Sequence, residues 1–119
     1  MLFRSYLCAA GVSFLFIVAL NRSLRESKFY IEKNINEPDL YDYLDLVALG
    51  TICDVVPLID LNRAFVYQGI QILKKRKNLG IKTLIDVADI KESPDTYHIG
   101  FLLGPRINAG GRKIGRAHV

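Results

Sequence analysis

From Leu44 to Leu58 the chain reads Leu-Asp-Leu-Val-Ala-Leu-Gly-Thr-Ile-Cys-Asp-Val-Val-Pro-Leu. Between Leu46 and Pro57 the only polar side chains are Thr51, Cys53 and Asp54. A stretch this apolar has to be buried, so the remainder of the chain is organised around it. An ionised carboxylate in such surroundings is costly unless something pairs with it. Two readings of Asp54 follow. One is a capping or turn carboxylate just before Val55-Val56-Pro57. The other is a metal ligand, a hard oxygen donor held at the end of a rigid element. Spacing alone leaves both open.

With 119 residues, half of them hydrophobic, the chain is long enough for one domain with a core of its own. Cys8 and Cys53 form no metal-binding pair, and each sits in an apolar run. Both read as buried, reduced thiols, as expected of the cytoplasm. The formal charge of +4 suggests an anionic partner, but the two ends of the chain undercut it. Ile114-Gly-Arg-Ala-His-Val119 is what ATC GGA AGA GCA CAC GTC encodes, and Leu2-Phe-Arg-Ser5 is what CTC TTC CGA TCT encodes. The second string is the reverse complement of the start of the first, extended by the last bases of the Lys113 codon. Both are common sequencing-adapter DNA. Residues 1–5 and 113–119 are therefore expected to be translated adapter, to be set aside in reasoning about the fold. Without Arg4, Lys113 and Arg116, 13 basic side chains face 12 acidic ones, and the basic balance argues for no partner. Met1 to Arg4 followed by the apolar run Leu7–Leu20 has the outline of a signal peptide. The run is short for a membrane span, which needs about 20 residues, and no small-x-small cleavage site follows it. It is expected instead to be a helix buried nearly all round inside a larger domain.

Helices dominate the periodicity. One is expected from about Ser5 to Glu26. Ser27 to Pro38 reads as a loop, with a short extended stretch at Phe29-Tyr30-Ile31. Pro38-Asp39 opens a second helix to about Gly50 or Thr51, whose apolar stripe is Leu40, Tyr43, Leu44, Val47 and Ala48. Asp45 lies near that stripe and reads as a hydrogen-bonded structural carboxylate rather than a catalytic one, with both roles open. Val55–Leu58 is a short extended exit. Asp60 is the expected N-cap of a third helix to about Lys75, with Leu61, Phe65, Ile70 and Leu73 facing inward. Lys74-Lys-Arg-Lys77 suggests phosphate binding, but reads more simply as a solvated helix end that complements the dipole. Asn78-Leu79-Gly80 is a C-cap turn, and Ile81–Val87 a fourth helix. After a polar link, Ser93-Pro94 starts the last helix, with Ile99, Phe101, Leu102 and Leu103 as its apolar residues. About five helices make the chain mainly α. It contains no internal repeat, P-loop, Cys/His metal cluster or nucleophile elbow, and His98 matches no ligand pattern. His118 falls in the adapter-like end.

Three blocks carry a resemblance: Leu44–Leu58, Asn62-Arg63, and Gly100-Phe-Leu-Leu-Gly-Pro-Arg-Ile-Asn-Ala-Gly-Gly-Arg112. In order and approximate spacing they resemble the RecJ family, bacterial single-stranded-DNA-specific 5′→3′ exonucleases of the DHH phosphoesterase superfamily. Tyr6–Phe14 is similar to the helix after that family's Asp-His-His motif, so the resemblance covers about residues 6–112. It implies an α/β parent with a parallel sheet, mostly missing here. Residues 6–104 would be the C-terminal part of the catalytic domain, and 105–112 the start of the connection to a second domain. It also implies a cytoplasmic enzyme of DNA repair and recombination that hydrolyses phosphodiesters with two divalent cations, Mn²⁺ or Mg²⁺. Asp54 would be a metal ligand, with Gly50 and Thr51 shaping the ligand turn. Arg106, Asn108, Gly111 and Arg112 would contact DNA.

The departure from the family pattern is large. No His-x-Asp-Ala-Asp segment, second-motif aspartate or Asp-His-His occurs. One carboxylate cannot hold two metals, so the chain alone is expected to be inactive and poorly soluble, with no membrane partner. Two alternatives remain. One is a fragment of another DHH phosphoesterase, acting on oligonucleotides or cyclic dinucleotides. The other is a small membrane-anchored or secreted helical protein. A non-catalytic DNA-binding module is disfavoured by the near-neutral charge.

Overall fold

The computed structural model describes residues 6–112, and the two adapter-like ends fall outside them. The described residues are mainly helical, with no strand among them. In order they form α1 (Ala9–Glu26), α2 (Phe29–Glu32), a 3₁₀ turn (Leu40–Tyr43), α3 (Leu44–Cys53), α4 (Asp60–Lys74), α5 (Leu79–Val87), α6 (Thr96–His98), a π-helical segment (Ile99–Leu103) and α7 (Gly104–Arg112).

The apolar run is the centre of the packing, as its composition requires. α3 has no polar face and lies against α4, with Leu44, Val47 and Phe65 closing one side. Ile52 joins Val66, Ile70, Leu73, Ile81, Ile85, Ile90, Ile99 and Leu103 in the main core. Each such side chain contributes about 1.5–3 kcal/mol when fully buried. Gly69 makes the tight α3–α4 contact possible, because a Cβ there would collide with the Leu44 carbonyl oxygen and the Ala48 Cβ.

α1 departs furthest from expectation. It starts at Ala9, not near Ser5, because Cys8 is extended and serves as the N-cap. Within the described residues its only buried positions are Gly11 and Asn21. Val12, Phe16, Ile17, Val18 and Leu20 are exposed, because no described element covers that side of the helix. The expected extended stretch at 29–31 is instead the helical turn α2. Its Tyr30 hydroxyl donates to Asn21 Oδ1 at 2.5 Å, and Asn21 donates on to Glu37 at 3.1 Å. Arg25 holds Glu37 at 2.9 Å, which pins the 27–39 segment back onto α1.

Several helix ends also differ. Asp39 caps the 3₁₀ turn by accepting from the Tyr41 N–H. Tyr43, placed on the inward stripe by periodicity, is exposed. Ile59 holds the N-cap position of α4, and the Asp60 side chain caps nothing. Asn78 accepts from the Ile81 N–H and starts α5 at Leu79, where a C-cap turn was expected. Asp95, not Ser93, caps the last helical stretch in a reciprocal box with His98. Five helices end on a left-handed residue, and none of the five is glycine: Lys28, Asn34, Val55, Arg76 and Asp89.

Pro105 accounts for the break within the last stretch. It has no N–H, and its ring crowds the preceding turn. The hydrogen bonds slip one residue before it, so the Gly104 N–H reaches the Ile99 carbonyl and 99–103 winds as a π-helix. The wider turn leaves Phe101 in solvent, although sequence grouped it with Ile99 and Leu103.

Candidate functional site

Asp54 is the C-cap of α3, following immediately on Cys53. It is exposed, so the apolar surroundings suggested by sequence are not its environment. It is no N-cap either. Its N–H donates to the Gly50 carbonyl at 3.1 Å, and no side-chain hydrogen bond to its carboxylate occurs among the described residues. A helix C-terminus carries partial negative charge, so a carboxylate there costs about 0.3–1 kcal/mol. Val55, the next residue, is left-handed at φ 55. It is the only β-branched residue among the five left-handed helix ends, and this backbone conformation costs a non-glycine residue about 1–2 kcal/mol. It is 87% exposed, so no packing within the described residues repays it. The Asp54–Val55 corner is thus locally unfavourable on two counts, a pattern typical of positions held for function.

The surroundings fix that corner. Asn62, on α4 and 1% exposed, donates to the Pro57 carbonyl at 2.9 Å and the Tyr6 carbonyl at 2.5 Å. It therefore ties the exit loop after Asp54 to the segment ahead of α1. Its Oδ1 is buried with no partner among the described residues. Sequence reasoning met Asn62 only as part of a matching block. Its signal is a polar residue one position after an apolar one at the start of an amphipathic helix, which does not reveal burial.

Gly50 and Thr51, expected to shape the turn at Asp54, precede it in the helix. Both lie inside α3, one helical turn before Asp54. A Cβ on Gly50 would come within 2.8 Å of the Ala10 Cβ, so this glycine lets α1 approach α3. Thr51 donates to the Val47 carbonyl at 2.7 Å and lies 3.5 Å from Cys8 Sγ. Their work is packing, and it positions the helix that ends in Asp54.

The glycine-rich block arrives at the same corner. Gly104 opens α7 so close to α3 that a Cβ on it would lie 3.2 Å from Cys53 Sγ. Cys53 is partly buried, not fully as expected, and burial together with the adjacent Asp54 charge pushes its thiol pKa up. Arg106 and Asn108 are exposed on α7. The Arg106 Nη1 donates to the Leu102 carbonyl at 2.8 Å. Gly111 and Arg112 lie in the last turn of the same helix. The fold thus sets the start of the Arg-x-Asn-x-x-Gly-Arg helix against Cys53, the residue before Asp54.

Asp45 stands at the other end of α3. It is buried and accepts from the Leu46 N–H at 2.7 Å, the structural carboxylate that sequence anticipated. Burial raises its pKa above the ordinary carboxylate value. His98 is buried; its Nδ1 accepts from the Asp95 N–H at 3.0 Å, a capping role. A cleft of about 620 Å³ lies among α1, the 3₁₀ turn and α4, over Phe14, Leu44 and Phe65, and none of the predicted site residues lines it.

Among the described residues, no three His, Cys, Asp or Glu side chains gather in a group able to hold a metal ion. Asp54 offers one donor, so these residues do not by themselves fit a two-cation site. No helix among the described residues is long and apolar enough to cross a membrane.

No family model matches the chain. It is similar to proteins described as single-stranded-DNA-specific exonuclease RecJ. With that of Escherichia coli (strain K12) it shares 44% identity over 108 residues, 89% of this chain and 19% of the relative. With that of Haemophilus influenzae the identity is 42% over 108 residues, 89% of this chain and 18% of the relative. With that of Thermus thermophilus it is 33% over 103 residues, 87% of this chain and 14% of the relative. The chain spans about a fifth or less of the length of these relatives.

Proposed function

We propose, from the premise that this chain belongs to the RecJ family, that it is a segment of a metal-dependent exonuclease. That enzyme would hydrolyse single-stranded DNA from the 5′ end in DNA repair and recombination in the bacterial cytoplasm. Residues 6–104 would be the C-terminal part of its catalytic domain and 105–112 the start of the path to a second domain. Residues 1–5 and 113–119 would be adapter-derived. What supports this reading is that Asp54 stands at an unfavourable helix end and that the start of α7 packs on Cys53, the residue before it.

In this reading Asp54 is one oxygen ligand of a divalent cation, Mn²⁺ or Mg²⁺. A cation would offset the repulsion between the carboxylate and the α3 terminus. α7 presents Arg106 and Asn108 to solvent, and its last turn carries Gly111 and Arg112, where guanidinium and amide donors suit DNA phosphates. Asn62, Gly50 and Thr51 position the corner. The hydrolytic step is not assembled here, because the remaining ligands are not among these residues.

The test compares the 119-residue chain with the longer protein that this reading takes it to be a segment of. Substrates are 5′-labelled single strands and dinucleotides, each with Mn²⁺. The longer protein is expected to degrade the strands processively or stepwise from the 5′ end, and the chain alone to be inactive. Metal-dependent cleavage by the chain alone would contradict the proposal. A longer protein that cleaves only dinucleotides would point to another DHH phosphoesterase.

A further inference from the structure

Phe101 is 71% exposed and Tyr97 60% exposed, on the stretch that leads into α7. Their rings face each other with centroids 5.2 Å apart and planes 30° apart. A Phe left in water forfeits the stabilisation of burial, so something normally covers such a pair. The Tyr97 ring also makes an edge-to-face contact with that of the buried His98, with centroids 5.6 Å apart. Asp95 locks His98 in turn through the capping box. The pair is thus held by a rigid turn, and the π-helical winding before Pro105 turns Phe101 outward.

Charge indicates what covers it. From Thr96 to Arg112 the sequence contains no Asp or Glu and two Arg. Arg106 follows the aromatic pair by about one turn and is exposed. Its one hydrogen bond among the described residues is to Leu102, which leaves most of its five donors for a ligand. Flat aromatic faces beside cationic donors match single-stranded nucleic acid, whose bases stack while its phosphates take the charge. The same stretch closes on Cys53, next to Asp54, through Gly104.

We propose that Tyr97 and Phe101 form a stacking platform for bases of a single strand, which α7 then guides by its phosphates toward Asp54. This rests on the nuclease reading above.

The test uses the longer protein in EDTA, so that nothing is cleaved, and fluorescence anisotropy with two labelled probes. One is oligothymidylate, the other an abasic strand of the same length. The wild type should bind the base-bearing strand about tenfold or more tightly than the abasic one. Tyr97→Leu and Phe101→Leu keep apolar volume but remove the π face. They should bring that ratio toward one while affinity for the abasic strand moves less than about twofold. Phe101→Tyr should keep the wild-type ratio. If the Leu variants retain the ratio, or weaken both probes alike, the platform is overturned and the face is an apolar contact with the rest of the protein. A wild type that binds both probes equally also overturns it while leaving the nuclease reading standing. A wild type that binds neither strand removes the nuclease reading itself, and the platform with it.

Discussion

Asp45 and Asp54 are the same residue type at opposite ends of α3, and their surroundings differ. Asp45 stands in the first turn, where the helix dipole favours a negative charge, but it is only 3% exposed. Burial dominates and raises its pKa. At neutral pH the native state therefore carries a charge more costly than in the unfolded chain. That penalty disappears as the pH falls below the ordinary carboxylate value, where both states are protonated. Asp45→Asn is expected to stabilise the chain by on the order of 1 kcal/mol at pH 7, with the gain vanishing near pH 3. Urea unfolding at the two pH values measures this, and a gain that does not depend on pH would contradict it. Asp54 bears its cost differently, through exposure at the negative helix end. Sequence singled out both carboxylates, but could not say which one is buried. That depends on which side of an all-apolar helix meets α4, and α3 has no polar face to signal it.

At the scale of elements, the α3–α4 contact shows how far a glycine can be read. Gly69→Ala would gain about 1 kcal/mol in helix propensity. The added Cβ would fall on the Leu44 carbonyl and the Ala48 side chain, in contact too close to keep. Overpacking costs about 1–3 kcal/mol, and a collision with a backbone carbonyl belongs at the upper end, so Gly69→Ala is expected to destabilise by about 1–2 kcal/mol net. Gly80 sits on the exposed side of α5, where an added methyl group would meet only Asn78 Oδ1, at 3.4 Å. Gly80→Ala is expected to stabilise by up to about 1 kcal/mol. Opposite signs for the two variants in thermal unfolding would support the packing described; equal signs would contradict it. The long helices were legible because their apolar residues recur with helical period, as Phe65, Ile70 and Leu73 do on α4. Their ends were less so. Asn78 suits an N-cap and a C-cap alike, and Phe29-Tyr30-Ile31 has strand-like residue types in what became a helical turn. Phe101 was misplaced because the π-helical slip before Pro105 shifts the face that each residue occupies.

At the scale of the whole molecule, α1 leaves Phe16 69% exposed among four other exposed apolar side chains. A helix so apolar was expected to be covered, and in our reading the missing cover is the parent's parallel sheet. In the same reading Asp54 would be one ligand of a metal site whose other ligands lie elsewhere in the parent; no group of three ligands occurs among the described residues. The position of Asp54 was legible because a carboxylate closes an apolar run. Its setting was not, because exposure at a helix C-terminus depends on where the helix stops. The most direct measurement is cleavage of a 5′-labelled single strand by the longer protein with Mn²⁺, comparing wild type with Asp54→Asn. If Asp54 holds a catalytic cation, the variant should lose about a hundredfold or more of the rate. Its melting temperature should stay the same or rise slightly, because the substitution removes a charge from the negative end of α3. A variant that cleaves at the wild-type rate would contradict the assignment of Asp54 as a metal ligand.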